Sequence, residues 1–353
     1  MKEMIGVLIA LLSWQFSETS KPPVALVLSV KGDVTVKRGK GAAERIYQWA
    51  CLSEDDIVMV GSNGSATLIQ PYAPNESLRP KEKRKIKRQP PTTKSDAANR
   101  ITTPDNFAEM CSILAKAKAN RKNRSRVKMA GPNDIVIAAL GPRNSLVIEQ
   151  RPRFEWTPVK GAKRYVIEIL DTNEQRKWLA TTGETRMTYP DPTLDKNAPV
   201  LLPGEYTWEV TAEVDAQQTV LDSSRFSIAT PVQANAARED LKKAKEYSSD
   251  PRVADLLYVL AAFRHRLYQE AEVQLRRAIR ETDDETLWEL LMEIYQETAR
   301  PEDRNLVLDY LKDRRPSNRE RILRNGLSSV LPSGSSFGPH RRPLGIFTED
   351  HRS

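Results

Sequence analysis

Apolar and polar positions alternate with a period of two over much of the first two thirds of the chain, and with a period near 3.6 after it. The sharpest strand signal lies mid-chain. Phe154 and Trp156 alternate with Arg153 and Glu155, the stretch 158–161 makes a turn, and Tyr165, Ile167 and Ile169 alternate with Val166, Glu168 and Leu170. A return strand over 206–210 follows the turn Leu202-Pro203-Gly204. Upstream, strands are predicted over 24–30, 34–38, 52–60 and 66–69, separated by glycine-bearing turns at Gly32, at Gly39 with Gly41, and at Gly61 with Gly64. An apolar strand over 135–140 leads into the central β region.

The helical part begins near residue 235. A segment rich in Ala and Lys spans 235–247, and Asp250-Pro251 reads as a helix start. Val253, Leu256, Leu257, Leu260 and Phe263 form the next apolar face, and further helices are predicted over 268–279, 287–299 and 302–313, with Pro316 as the stop. Between the two patterns, residues 71–130 have no strand alternation. The run 79–88, followed by Pro90-Pro91, reads as a basic linker or solvated loop. Within 101–118 a helix is predicted, because Phe107, Met110, Ile113 and Leu114 recur on one face. Residues 4–12 are a short apolar run after one lysine, too short to span a bilayer and suited to the core of a secretory signal peptide over 1–20. The stretch 328–353 is Ser, Gly, Pro and charge, and reads as a disordered tail.

Charge sharpens this division. Net charge is +8, but 21–130 holds 22 Lys/Arg against 10 Asp/Glu, so the rest of the chain is slightly acidic. The residues that would contact a polyanion are Lys81, Lys83, Arg84, Lys85, Lys87 and Arg88, with Arg121, Lys122, Arg124 and Arg126 as a second cluster. Aromatic residues that could stack on bases are absent between 79 and 100, which argues against nucleic acid. Opposite in sign, Glu285, Glu289, Glu293 and Glu297 recur every four residues and make one acidic stripe along a helix. Such i,i+4 repulsion weakens an isolated helix, so the stripe is expected to meet a basic peptide, with this chain's own 79–128 a candidate. The plainer alternative is a solvated helix face neutralised by nearby arginine.

Candidate catalysis is thin. The three histidines are His265, in a helix, and His340 and His351, in the tail, and no His/Cys/Asp spacing suits zinc. There is no P-loop, no G-x-G-x-x-G and no G-x-S-x-G elbow. No enzyme activity, metal or cofactor is expected. Cys51 and Cys111 are too few for a disulfide scaffold, and either one bridge or two separate thiols fits the sequence. Three glycosylation sequons, at Asn63, Asn75 and Asn123, read as chance matches.

Three resemblances rest on particular residues. Gly32, Val34 and Val36, then Leu52, Asp56 and Val58, then Asn63, Ala66 and Leu68, resemble the pattern of FecR-like domains over 24–70, with continuation to 140 as an alternative. Asp55 stands where that family usually has Gly. Trp156 and Tyr206 resemble the core markers of a fibronectin type III or immunoglobulin-like β-sandwich over 142–230. Leu275 and Leu308, and Ala278 and Leu311, are each offset by 33, which resembles the tetratricopeptide repeat over 235–325, with Arg304 where a small residue would match Ala271. The fold class expected is therefore multidomain: a β-rich N-terminal domain, a fibronectin-like middle sandwich and a tetratricopeptide-like α-helical C-terminal domain. These resemblances imply a non-enzymatic, exported scaffold or sensor of the bacterial envelope, periplasmic or secreted, that binds other proteins or an anionic cell-wall polymer. The alternative is a cytoplasmic scaffold whose 79–128 segment binds nucleic acid.

Overall fold

The computed structural model describes residues 21–71, 75–89, 104–122, 137–190, 199–214, 219–248, 250–282, 284–314, 319 and 322. The predicted signal segment 1–20 and tail 328–353 lie outside them. The chain is a mixed β-rich and α-helical protein, with four sheets and six helices among the described residues.

The first β region contains β1 (Pro23–Lys31), β2 (Val34–Lys37), β3 (Ala43–Arg45), β4 (Cys51–Ser53), β5 (Ile57–Val60), β6 (Ser65–Ile69), β7 (Glu76–Leu78) and β8 (Lys83–Lys85). They form two four-stranded antiparallel sheets, ordered β4-β1-β6-β7 and β3-β2-β5-β8. Val27, Val34, Val36, Val58 and Leu68 are buried in the core the two sheets share. Strand β1 is apolar at nearly every position because both its faces are covered. Ala25 and Val27 enter this small core, while Leu26 and Leu28 enter the core of the helical region. Two turns need left-handed backbone. Gly32 has φ +65° and lies so close to Asn63 that a Cβ would meet its carbonyl oxygen at 2.2 Å. Asp55 adopts φ 74° at the place where the FecR-like pattern has glycine, and ion-pairs there with Lys21 and Lys85.

The central region contains β9 (Ala139–Gly141), β10 (Ser145–Val147), β11 (Arg153–Trp156), β12 (Arg164–Asp171), β13 (Arg176–Thr182), β14 (Arg186–Thr188), β15 (Gly204–Glu213) and β16 (Thr219–Ile228). A three-stranded sheet, β14-β11-β9, packs on a five-stranded sheet, β10-β16-β15-β12-β13. All pairings are antiparallel except β10 with β16, which is parallel. Phe154, Trp156, Trp208 and Phe226 fill the core with rings 5.1–6.4 Å apart. Trp208 is the deeper aromatic of its strand, and its indole N–H donates to Pro142 O at 2.7 Å. Tyr206 is half-buried, and its hydroxyl donates to Leu202 O at 2.9 Å.

The helices are α1 (Pro104–Lys122), α2 (Pro231–Glu246), α3 (Pro251–Arg264), α4 (Tyr268–Glu281), α5 (Glu285–Glu297) and α6 (Pro301–Asp313). From α2 onward each packs on the next in sequence. Starts follow the expected chemistry. Thr230 and Gln233 form a capping box on α2, and Asp250 and Asp284 cap α3 and α5. None of the helices is long and apolar enough to cross a membrane among the described residues.

Two readings of the sequence need correction. The run 79–88 is not a linker, because β8 lies inside it and pairs with β5, while Leu78 and Ile86 on either side are buried in the β core. Short strands with charged outward residues lack the apolar alternation that announces a strand. Helix α1 lies in the stretch 71–130, which the sequence leaves as a basic linker or an insertion with a possible helix, and it is a core element. Phe107, Met110, Cys111, Leu114 and Ala117 belong to the largest core of the molecule, together with residues of α3 to α6. The helix starts at Pro104 but extends four residues past the predicted end.

Candidate functional site

Helix α1 lies against α3, α5 and β1. Helix α1 thus rests on a face to which both α3 and α5 contribute. Its apolar stripe supplies burial, and its charge matches what it covers. Glu293 is 1% exposed and Glu289 2%, so the middle of the predicted acidic stripe is internal, while Glu285 and Glu297 at its ends are half-buried. Lys116 Nζ lies 3.0 Å from Glu293 Oε1 and ion-pairs with Glu297 as well. Glu297 and Glu293 hold the Lys116 ammonium well above the usual lysine range, although burial works the other way. Glu285 sits at the opposite end of α5, with its carboxylate 3.6 Å from the Arg314 guanidinium. The four glutamates thus share a helix but not an environment.

Arg121 and Lys122 are the last two residues of α1, while Arg124 and Arg126 lie outside the described residues. The other basic residues gather on one sheet edge. Lys83, Arg84 and Lys85 are the three residues of β8, all exposed, and Lys81, Lys87 and Arg88 flank it, also exposed. Arg84 ion-pairs with Glu76, and Lys85 Nζ lies 2.9 Å from Asp55 Oδ1. Lys21 and Lys85 together lower the Asp55 carboxyl to about 2. Alongside runs a groove of about 430 Å³ lined by Gln70, Asn75, Glu76 and the stretch 84–87 with Gln89.

Sequence reasoning missed a buried charge network. Glu272 receives Arg276 Nε at 2.9 Å on one oxygen and Arg300 Nη1 at 2.7 Å on the other. Arg300 Nε donates to Asp303 at 2.7 Å, and its guanidinium lies 4.5 Å from the Tyr295 ring centroid. Tyr295 Oη donates to Glu272 Oε1 at 3.2 Å. Burial alone would raise the Glu272 carboxyl, but Arg300 and Arg276 outweigh it and hold it below the usual range. Only the local pairs, Glu272 with Arg276 at i,i+4 and Arg300 with Asp303 at i,i+3, could have been seen in the sequence. His265, read as an ordinary surface residue, is the C-terminal cap of α3, with Nε2 2.8 Å from Asp240 Oδ2. Among the described residues no group of three or more His, Cys, Asp or Glu is placed to hold a metal ion.

A further feature is a groove of about 290 Å³ between the sandwich and the helices, bordered by Arg151, Tyr258 and Glu270. Burial pushes the Glu270 carboxyl up to about 7.

No family model and no curated relative matches the chain. Several solved structures are similar to parts of it. CopC from Methylosinus trichosporium OB3b has 16% identity and a TM-score of 0.20, covering 26% of this chain and 91% of its own. A tetra-tandem repeat in the extending region of a large adhesion protein has 13% identity and a TM-score of 0.19, covering 59% of this chain and 42% of its own.

Proposed function

We propose that this chain is a non-enzymatic, exported scaffold or sensor of the bacterial envelope, which acts by binding other proteins through its helical array. The observation that carries the reading is the seat of α1. A helix with a buried apolar stripe and a lysine on two glutamates occupies the face of α3 and α5, where a tetratricopeptide-like array takes an extended or helical ligand. The groove is therefore suited to a basic amphipathic segment, and α1 is its resident occupant. Successive packed helix pairs support the tetratricopeptide-like reading. The strand orders of the central sheets, buried Trp156, and the Tyr206 hydroxyl on Leu202 O support the fibronectin-like one. Left-handed Gly32 and Asp55 fit the turns of a FecR-like domain.

The test is trans binding of a labelled 104–122 peptide, carrying Cys111→Ser, to the full chain and to its Lys116→Glu variant. The variant repels its own α1 from Glu293 and Glu297 and is expected to bind the peptide at least tenfold more tightly than the parent. No binding to either protein rejects the groove. The exposed β8 edge gives the same scaffold a contact for an anionic wall polymer. Binding to polyphosphate as a probe is expected to fall steeply with salt, with a slope that tracks the number of lysines engaged.

A further inference from the structure

We propose that Cys51 and Cys111 are the two halves of a disulfide that ties helix α1 to strand β4. The residues are 60 apart in sequence, and the fold brings them together. Cys51 Sγ lies 3.9 Å from the backbone oxygen of Cys111, and both side chains pack in the same core. Both are free in this structure.

Each cysteine sits on a fixed element. Cys51 is in β4 beside fully buried Leu52, and Cys111 is in α1 beside buried Met110. Their exposures differ in a useful way: Cys51 is partly exposed, so an oxidant reaches it, while Cys111 is buried. The neighbouring Cys51 and burial push the Cys111 thiol well up, and the Lys118 ammonium offsets only part of this, so Cys51 is the sulfur that reacts first.

The chemistry is thiol–disulfide exchange with a small-molecule or protein disulfide as oxidant. The Cys51 thiolate attacks one sulfur of the oxidant and forms a mixed disulfide, expelling one thiolate. Cys111 then gives up its proton to solvent and attacks Cys51 Sγ, expelling the second thiolate. Two protein thiols are oxidised by two electrons, and one disulfide is reduced to two thiols that take up the two protons.

The bond has a consequence for the groove. With α1 covalently held to β4, it cannot leave α3 and α5, whereas the reduced chain retains only non-covalent contacts there. This consequence rests on α1 being the groove's occupant; the bond itself does not.

The experiment equilibrates the purified full chain with excess oxidised glutathione, then denatures, alkylates and weighs it. The expected product is a monomer lighter by two hydrogens, with no alkylated cysteine and a Cys51–Cys111 cross-linked peptide on digestion. Cys51→Ser is expected to abolish the mass loss. Two alkylated thiols, a glutathione adduct persisting on Cys51, or an intermolecular dimer would overturn the pairing. The 104–122 peptide carrying Cys111→Ser, added to the Lys116→Glu variant, is expected to bind the reduced form at least tenfold more tightly than the oxidised form. Equal affinities would overturn the locking, and binding to neither form would count against the groove while the thiol result stood.

Discussion

Two acidic clusters on the helical array are neutralised in opposite ways. Glu272 finds its cations within the array, from Arg276 one turn along its own helix and from Arg300 at the start of α6. Glu293 and Glu297 find theirs in Lys116, which lies 181 residues before Glu297 on a helix from another part of the chain. The first cluster is sealed and its partners are all buried. The second is closed by a lysine whose side chain is 55% exposed. A charge satisfied inside one module belongs to that module's stability. A charge satisfied by a distant segment makes the module depend on how that segment is seated.

The largest effect should come from breaking the sealed cluster. Arg300→Ala leaves Glu272 and Asp303 short of a cation in the core, and a loss of about 3–5 kcal/mol is expected in chemical denaturation. The same cluster fixes a pH response. Because the folded Glu272 carboxyl is held below its unfolded value, its contribution is present above about pH 4.3 and is lost as pH falls through the lower folded value. Denaturation midpoints measured downward from pH 5 should decline less in Glu272→Gln than in the parent.

Glu270 gives a response of opposite sign. Its folded carboxyl is raised to about 7, so the folded state holds a proton that the unfolded state releases near pH 4.3. Stability is therefore expected to fall between about pH 4.3 and 7, and Glu270→Gln should be more stable than the parent at pH 8 by about 1–3 kcal/mol. A variant less stable than the parent at pH 8 would show that the ionised carboxylate has a partner in solution.

Lys116→Ala should cost less than Arg300→Ala, about 1 kcal/mol, because solvent can reach the site it vacates. If the two losses were equal, the contrast between the sealed and the borrowed cluster would fail. The smallest expected stability change belongs to the β8 edge. Lys83→Ala should alter stability by no more than about 0.5 kcal/mol, since its side chain is exposed. It should lower the salt slope of polyphosphate binding by about 1 if that lysine touches phosphate.

Much of the secondary structure was legible because burial on one face leaves a periodic trace. The alternation of Tyr165, Ile167 and Ile169 marks β12, and Asp250-Pro251 marks the start of α3. Strands β3 and β8 left no such trace, since all three residues of each are exposed. The acidic stripe was legible as a spacing, but its burial was not, because spacing says which residues share a face and nothing about what covers it. The Glu272 network was largely invisible, since Arg300 and Tyr295 reach it only through the packing of three helices.

The sequence by itself determined the existence and approximate place of the helices and of the strands with a buried apolar face, how the net positive charge is concentrated in 21–130, and that α5 would carry carboxylates along one side. Those features follow from local propensity, capping and periodicity, which act over a few residues. Only the tertiary structure decided that α1 is a core helix, that Lys116 meets Glu293 and Glu297, and that Cys51 faces Cys111. Each of these joins residues 60 or more positions apart. No periodicity along the chain encodes such pairings. They arise when β1 and α1 bury their remaining apolar faces against the helical array.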